Sequence, residues 1–249
     1  GAGTEYLYGL IVQLLGRNIS YGLENPSSKK IVNIYKSLGV KVNYLDMDEE
    51  GVIPDCQGLN DSQIIQISPS HHFPTGIVTS ISRRYGLLQW ANQSPDRYII
   101  EDDYDSEFRY KGKPIPALQG MDQTGSVVYM GTFSKAIAPA IRVGYMVLPE
   151  SLLSVYRKKG RFYSSTVSRV DQRILANFIS GGYFERHLNR MREIYKGKHD
   201  VLLGALKPLE KRFEIKGEYA GLHVLLTDRK GEAEQALLAK AEEKKVRVY

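Results

Sequence analysis

Apolar residues recur at two different periods along this chain, and the alternation between them sets the first expectations. Leu7, Leu10, Ile11, Leu14 and Leu15 follow Gly3-Thr4 at three- and four-residue spacing, which predicts an amphipathic helix. Ile19 to Leu23 reads as a short strand. Pro26-Ser27-Ser28 then opens a second helix with Ile31, Ile34, Tyr35 and Leu38 on one face, closed by Gly39. Val40 to Leu45, Ile64 to Ser68, Tyr98 to Glu101, Val127 to Met130 and Val143 to Leu148 bring the strand candidates to six, with a helix from Ser80 to about Asn92 among them.

Strands separated by helices need crossover connections. The expected architecture is therefore α/β, a mostly parallel central sheet with helices on both faces. After Pro149 the pattern changes to long helices, Ser151 to Arg157, Val167 to Ile179 and Tyr183 to Leu206. A strand-like Leu222 to Leu226 and a helix from Glu232 to Lys244 follow. A boundary near Lys207-Pro208 divides a large domain, residues 1–206 with a long connecting helix, from part of a smaller α+β C-terminal domain, residues 207–249. Val246-Arg247-Val248-Tyr249 reads as a strand interrupted midway, and the Gly-rich opening lacks a preceding element, so a longer parent protein is expected.

Composition changes this picture little. The 249 residues are 42% hydrophobic and 25% charged, ordinary values for a globular chain. No apolar run approaches the roughly 18 residues that span a bilayer, so no membrane partner is expected. One cysteine, Cys56, excludes an internal disulfide and suits a cytoplasmic location. The net charge of +6 is dispersed, and its densest piece, Arg157-Lys158-Lys159-Gly160-Arg161, reads as a solvated helix end, with an anion- or DNA-facing patch as the alternative.

In open α/β sheets ligands collect at the carboxyl ends of strands. Asp102 and Tyr104 follow one strand, Thr132, Ser134 and Lys135 the next, and His71 to Gly76 a third. A lysine becomes a Schiff-base former when desolvated or placed near positive charge, and Thr132, Ser134 and Arg142 are donors suited to a phosphate. Against this stands a plain surface lysine in a Ser-containing loop. Glu101-Asp102-Asp103-Tyr104-Asp105 places four acids within five positions, so a compensating cation is expected: a metal, a protonated pyridine nitrogen, or simply solvent around an acidic loop. Gly1-Ala2-Gly3-Thr4 ahead of a helix offers an anion seat, with Glu5 in the first turn.

Several blocks occur in order: Ser68-Pro69-Ser70-His71-His72-Phe73-Pro74-Thr75-Gly76, Ser82-Arg83-Arg84, Tyr98-Ile99-Ile100-Glu101-Asp102-Asp103-Tyr104-Asp105-Ser106-Glu107-Phe108, Ile115-Pro116-Ala117-Leu118-Gln119, and Met130-Gly131-Thr132-Phe133-Ser134-Lys135 with Arg142. Together they resemble the fold-type I pyridoxal-phosphate enzymes. More narrowly they resemble the aminotransferase-like effector domain of MocR/GabR-type bacterial transcription regulators, of the GntR/MocR class. The resemblance covers about Gly1 to Pro149 in detail and only the domain layout beyond.

It implies pyridoxal 5′-phosphate as cofactor, held by Lys135 as a Schiff base. Asp102 would pair with the pyridine nitrogen and Tyr104 with the phenolic oxygen. Thr132, Ser134 and Arg142 would hold the phosphate with Gly3, Thr4 and Glu5 opposite. Two positions depart from the pattern: Ser28 stands where an aromatic ring often stacks on the cofactor, and Phe73 where many aminotransferases carry an asparagine. His71 is a candidate effector contact beside Tyr104, with a hydrogen-bonded structural histidine as the alternative. No metal ligand set is expected.

The implied function is a ligand-sensing and dimerisation domain rather than an enzyme, binding an amino acid, amine or dipeptide by external aldimine formation. DNA contact would come through an N-terminal winged helix-turn-helix domain outside this chain. γ-Aminobutyrate, a D-alanine-containing dipeptide and pyridoxal phosphate itself are candidate effectors. The alternative is an aminotransferase in which Lys135 also serves as general base.

Overall fold

The structure, a computed structural model, describes residues 1–112 and 115–248. In chain order the elements are α1 (Thr4–Leu15), β1 (Ser20–Asn25), α2 (Lys29–Ser37), β2 (Lys41–Asp48), β3 (Gly51–Val52), α3 (Gln57–Asn60), β4 (Ile64–Ile67), α4 (Ile81–Asn92), β5 (Tyr98–Asp103), α5 (Leu118–Met121), β6 (Val127–Thr132), α6 (Phe133–Ala136), β7 (Gly144–Val147), α7 (Glu150–Lys159), α8 (Arg169–Ser180), α9 (Tyr183–Leu206), β8 (Phe213–Lys216), β9 (Leu225–Asp228) and α10 (Glu234–Glu243).

β1 to β7 form one sheet in the order β3-β2-β1-β4-β5-β6-β7. The four central pairings, β2 with β1, β1 with β4, β4 with β5 and β5 with β6, are parallel. Both edge strands, β3 and β7, run antiparallel to their neighbours. Tertiary pairing alone recruits the two-residue β3, which is too short to show a period in sequence.

Two apolar layers cover the sheet. On one face Leu7, Tyr8 and Ile11 of α1, Val32 and Tyr35 of α2 and Leu152 of α7 meet Ile64, Ile100, Val128 and Met130. On the other, Leu59 of α3, Leu87 and Trp90 of α4 and Leu118 of α5 meet Ile65, Ile67, Ile99 and Val127. Adjacent strand residues go to opposite layers because side chains alternate across a pleated sheet. From β1 the chain moves outward through α2 to β2 and β3, then returns through α3 to β4 on the other side of β1, and this reversal opens a crevice at the carboxyl ends of β1 and β4.

α9 spans the Tyr183 to Leu206 predicted from its spacing. The 157–161 run closes α7, with all four basic residues exposed, as a solvated helix end should be. The predicted strand at Leu222 begins instead at Leu225, since Gly221 and His223 are committed to contacts with the large sheet's loops. β8, which the sequence reading passed over, pairs antiparallel with β9 in a separate two-stranded sheet. Val246 to Val248 form no strand, and Tyr249 lies outside the described residues. Among the described residues no helix is long and apolar enough to cross a membrane.

Candidate functional site

The crevice opens into a cavity of about 490 Å³ between the carboxyl ends of β1, β4, β5 and β6 and the first turn of α1. Gly3, Thr4, Glu5, Ser28, Phe73, Asp102, Tyr104, Thr132, Ser134, Lys135 and Arg142 all line it. Residues up to 139 positions apart in sequence thus share one cavity. His71 does not: its side chain is fully buried behind the wall, its Nδ1 2.9 Å from Asp105 Oδ2 and 3.3 Å from the Tyr104 hydroxyl. His72, and not His71, lines the cavity.

Pleating resolves the crowded acids. Asp102 falls on the α1 face, where Tyr8 donates to its Oδ2 at 2.6 Å and Gln66 Nε2 at 3.0 Å. Glu101 falls on the opposite face and accepts the backbone N–H groups of Leu118 and Gln119 at 2.9 Å each, with the Arg84 guanidinium 3.9 Å away. Asp103 accepts from the Tyr129 hydroxyl at 2.7 Å, and Asp105 meets His71. Each acid has separate partners, so no shared cation is required. His71, Asp105 and His223 do offer three ligand atoms within 4.8 Å of one another, but His71 Nδ1 already occupies the Asp105 carboxylate.

Burial pushes the Asp102 carboxyl up to about 6 even though Tyr8 and Gln66 favour its charged form. A positive group opposite it would restore the carboxylate. Lys135 sits in the four-residue α6, whose N-cap Thr132 accepts the Ser134 N–H through Oγ1 at 3.2 Å. The lysine is exposed, so the desolvation anticipated for it is not part of this arrangement. Arg142, in the left-handed region at φ 45°, turns its guanidinium to Glu5, 3.2 Å away, and Lys30 meets the other oxygen of the same carboxylate. Glu5 therefore faces the cavity with its carboxylate neutralised by two cations.

A model of the aminotransferase class I and II family matches residues 24–249. The chain belongs to that family. Among relatives of this aminotransferase-family chain, the HTH-type transcriptional regulator YdeL of Bacillus subtilis is 38% identical, covering 100% of this chain and 54% of its own length. A second from the same organism, YhdI, is 40% identical over 91% of this chain and 48% of its own. The probable rhizopine catabolism regulatory protein MocR of Rhizobium meliloti is 36% identical over 73% and 36%. The chain spans about half the length of the first two of these curated relatives. Among solved structures, the Pyrococcus horikoshii kynurenine aminotransferase aligns with TM-score 0.85 at 25% identity, covering 99% of this chain and 64% of that one. The fold is that of the fold-type I aminotransferases, and family and fold together imply dependence on pyridoxal phosphate.

Sequence reasoning missed three inward groups of this family member. Tyr8 lies one helical turn after Thr4, and that spacing was the available signal. Gln66 gave none, being a lone polar residue inside an apolar strand. Glu24, near the end of β1, is 5% exposed. The Ser68 N–H donates to its Oε2 at 2.8 Å, while Oε1 has no partner. Burial pushes this carboxyl up to about 8, aided by the nearby Asp102 charge. His72 Nε2 lies 3.5 Å from Glu24 and burial holds it down near 4, so at neutral pH an uncharged acid faces an uncharged imidazole.

Proposed function

We propose that this chain is the effector-sensing and dimerisation part of a GntR/MocR-type transcription regulator that holds pyridoxal phosphate on Lys135. Residues 1–206 would form the cofactor-binding domain and those from 207 onward part of the smaller one. The reading rests on one observation: Lys135, Asp102, Tyr104 and a set of phosphate-type donors share a single cavity, in a chain that aligns along its length with HTH-type regulators.

The donor set fits the cofactor. Asp102, gripped by Tyr8 and Gln66, would hold a proton at a ring nitrogen, and Tyr104 would donate to a ring oxygen. Thr132, Ser134 and Arg142, with the N-terminus of α1 at Gly3 to Glu5, supply hydroxyl, guanidinium and backbone donors for a phosphate. Glu24 adds an uncharged carboxyl with a free oxygen at the cavity floor. When bound, pyridoxal phosphate supplies an aldehyde carbon that condenses with primary amines. An amino acid, amine or dipeptide would then displace the Lys135 amine, which is free to move at the exposed lip of the cavity. An effector that prefers one arrangement of the two domains shifts the population toward it by its differential affinity. In a cytoplasmic homodimer that shift would reach winged helix-turn-helix domains elsewhere in the full-length protein.

Operator binding by the full-length protein, measured with and without a panel of amines and amino acids, tests this reading. The expected result is a change in operator affinity with one class of amine, abolished in Lys135→Ala. No change with any of them overturns it.

An aminotransferase is the second reading, favoured by the Thermococcus litoralis aromatic-amino-acid aminotransferase, 29% identical over 74% of this chain, and by the solved structures. Steady-state conversion of an amino donor and a keto acceptor at enzymatic turnover would decide for it.

A further inference from the structure

The segment that joins β8 to β9 packs behind the wall of the cavity. Gly221 N–H donates to the Phe108 carbonyl at 2.6 Å, and the Tyr110 N–H donates to the Tyr219 carbonyl at 3.1 Å, so residues 219–221 are stitched to the loop after β5. On the other side the segment meets the loop after β4. A Cβ on Gly221 would collide with the His71 ring, and one on Gly76 with the backbone of Gly217, so both contacts require glycine. These are the two loops that carry Tyr104 and Phe73 into the cavity.

His223 closes the contact. Its ring lies 4.5 Å from that of His71 and 5.1 Å from that of Phe73, centroid to centroid. His71 in turn reaches the Tyr104 hydroxyl at 3.3 Å. Behind the two cavity-facing rings there is thus a second row, His71 and His223, contributed by different parts of the chain.

We propose that His223 is a positioning residue. Through His71 and Phe73 it sets the placement of Tyr104 in the cavity, and through it the β8–β9 segment responds to what the cavity holds. The inference rests on the cofactor reading of the cavity only for the second clause. Two features fit a contact made to shift rather than to lock. His71 Nε2 and His223 Nε2 are both buried without a hydrogen-bond partner, so the closed ring contact leaves two polar atoms unpaired that opening would expose to water. Burial first, then the neighbouring His71, holds His223 below the ordinary imidazole range against the pull of Asp105, and the Lys135 ammonium adds a smaller push downward, so a change at that amine reaches the imidazole.

The first test needs no cofactor: a double-mutant cycle in urea unfolding with Tyr104→Phe and His223→Ala. The proposal expects the pair to depart from additivity by at least about threefold in the unfolding equilibrium constant. Additive effects overturn the first clause. Should His223→Ala fail to melt cooperatively, His223→Phe retains the ring and completes the cycle. The second test titrates pyridoxal phosphate. His223→Ala should shift the pH midpoint of the cofactor's visible band, which a merely structural role would leave in place. In the parent, cofactor binding should slow hydrogen exchange at residues 219–223. An unmoved midpoint and unchanged exchange, in a parent that binds the cofactor, overturn the second clause. A parent that does not bind it removes the cofactor reading and leaves the result of the cycle standing.

Discussion

Tyr8 Oη donates to Asp102 Oδ2 at 2.6 Å, a buried bond that joins the first turns of α1 to the end of β5 across 94 residues of sequence. Gln66 donates to the same oxygen and accepts in turn from Tyr35 at 2.5 Å, so three elements converge on one carboxylate. The network fixes the direction in which Asp102 presents its remaining oxygen. Tyr8 thereby belongs both to the layer of helices over the sheet and to the lining of the cavity.

Asp102→Asn should weaken cofactor binding. Burial raises this carboxyl to about 6, and a protonated ring nitrogen would restore its charge and gain a charge-assisted hydrogen bond, a contribution of roughly 1.5–3 kcal/mol. The expected loss is about ten- to a hundredfold in affinity, read by titrating pyridoxal phosphate against protein absorbance. Equal affinity in the variant would show that Asp102 does not face the ring nitrogen.

Glu24→Gln should flatten the pH dependence of stability. In the folded protein this carboxyl is raised to about 8, whereas an unfolded one titrates near 4.5. Between those values the folded state holds a proton the unfolded state has lost, so stability falls as pH rises, by about 1.4 kcal/mol per unit at the steepest. Below 4.5 both states are protonated and the difference vanishes. Urea unfolding of parent and variant at pH 5, 6, 7 and 8 should give curves that diverge in the variant's favour. Parallel curves would place the titration elsewhere.

Arg84→Lys should be strongly destabilising. The guanidinium is fully buried and donates to the carbonyls of Thr79, Pro116 and Pro69 at 3.1, 2.9 and 2.6 Å, with Glu101 3.9 Å away. A lysine ammonium has no planar fork to reach three carbonyls at once, and leaving buried charge uncompensated costs about 3–5 kcal/mol. Because Pro69 belongs to the loop that carries His72 and Phe73, the melting temperature and the cofactor affinity should fall together. A variant as stable as the parent would contradict the assigned role.

Glu5→Gln should change stability little and raise affinity for phosphate-bearing ligands. Its pairs with Lys30 and Arg142 lie on partly exposed side chains, where ion pairs contribute about 0–1 kcal/mol. Removing the carboxylate frees both cations toward the cavity, and a several-fold tighter pyridoxal phosphate dissociation constant is expected from titration at low ionic strength. Weaker binding would show instead that Glu5 holds Arg142 in a productive position.

Much of the fold was legible because helix and strand periods are local properties. α9 runs over the predicted residues, and the six strand candidates all lie in the large sheet. The strands passed over are short ones set by pairing and not by a period of their own, β3 beside β2 and β8 beside β9, and the four-residue helices α3, α5 and α6 are likewise too short to show one. The cavity was legible where motif residues stand at strand ends, as with Asp102, Thr132 and Lys135. It was not legible at Gln66, whose polar group inside an apolar strand makes sense only beside Tyr35 and Asp102.

The amino-acid order alone determined the alternation of helix and strand, the α/β class and the chemistry on offer at the strand ends, since hydrophobic period and residue type need no partner to be read. Tertiary structure decided which of those groups meet. It sent Glu101 and Asp102 to opposite faces of one sheet, gave each its own donors, and moved His71 behind the wall while turning Glu24 into the cavity. The reason is geometric: a pleat separates neighbours in sequence, and parallel crossovers bring together residues more than a hundred positions apart.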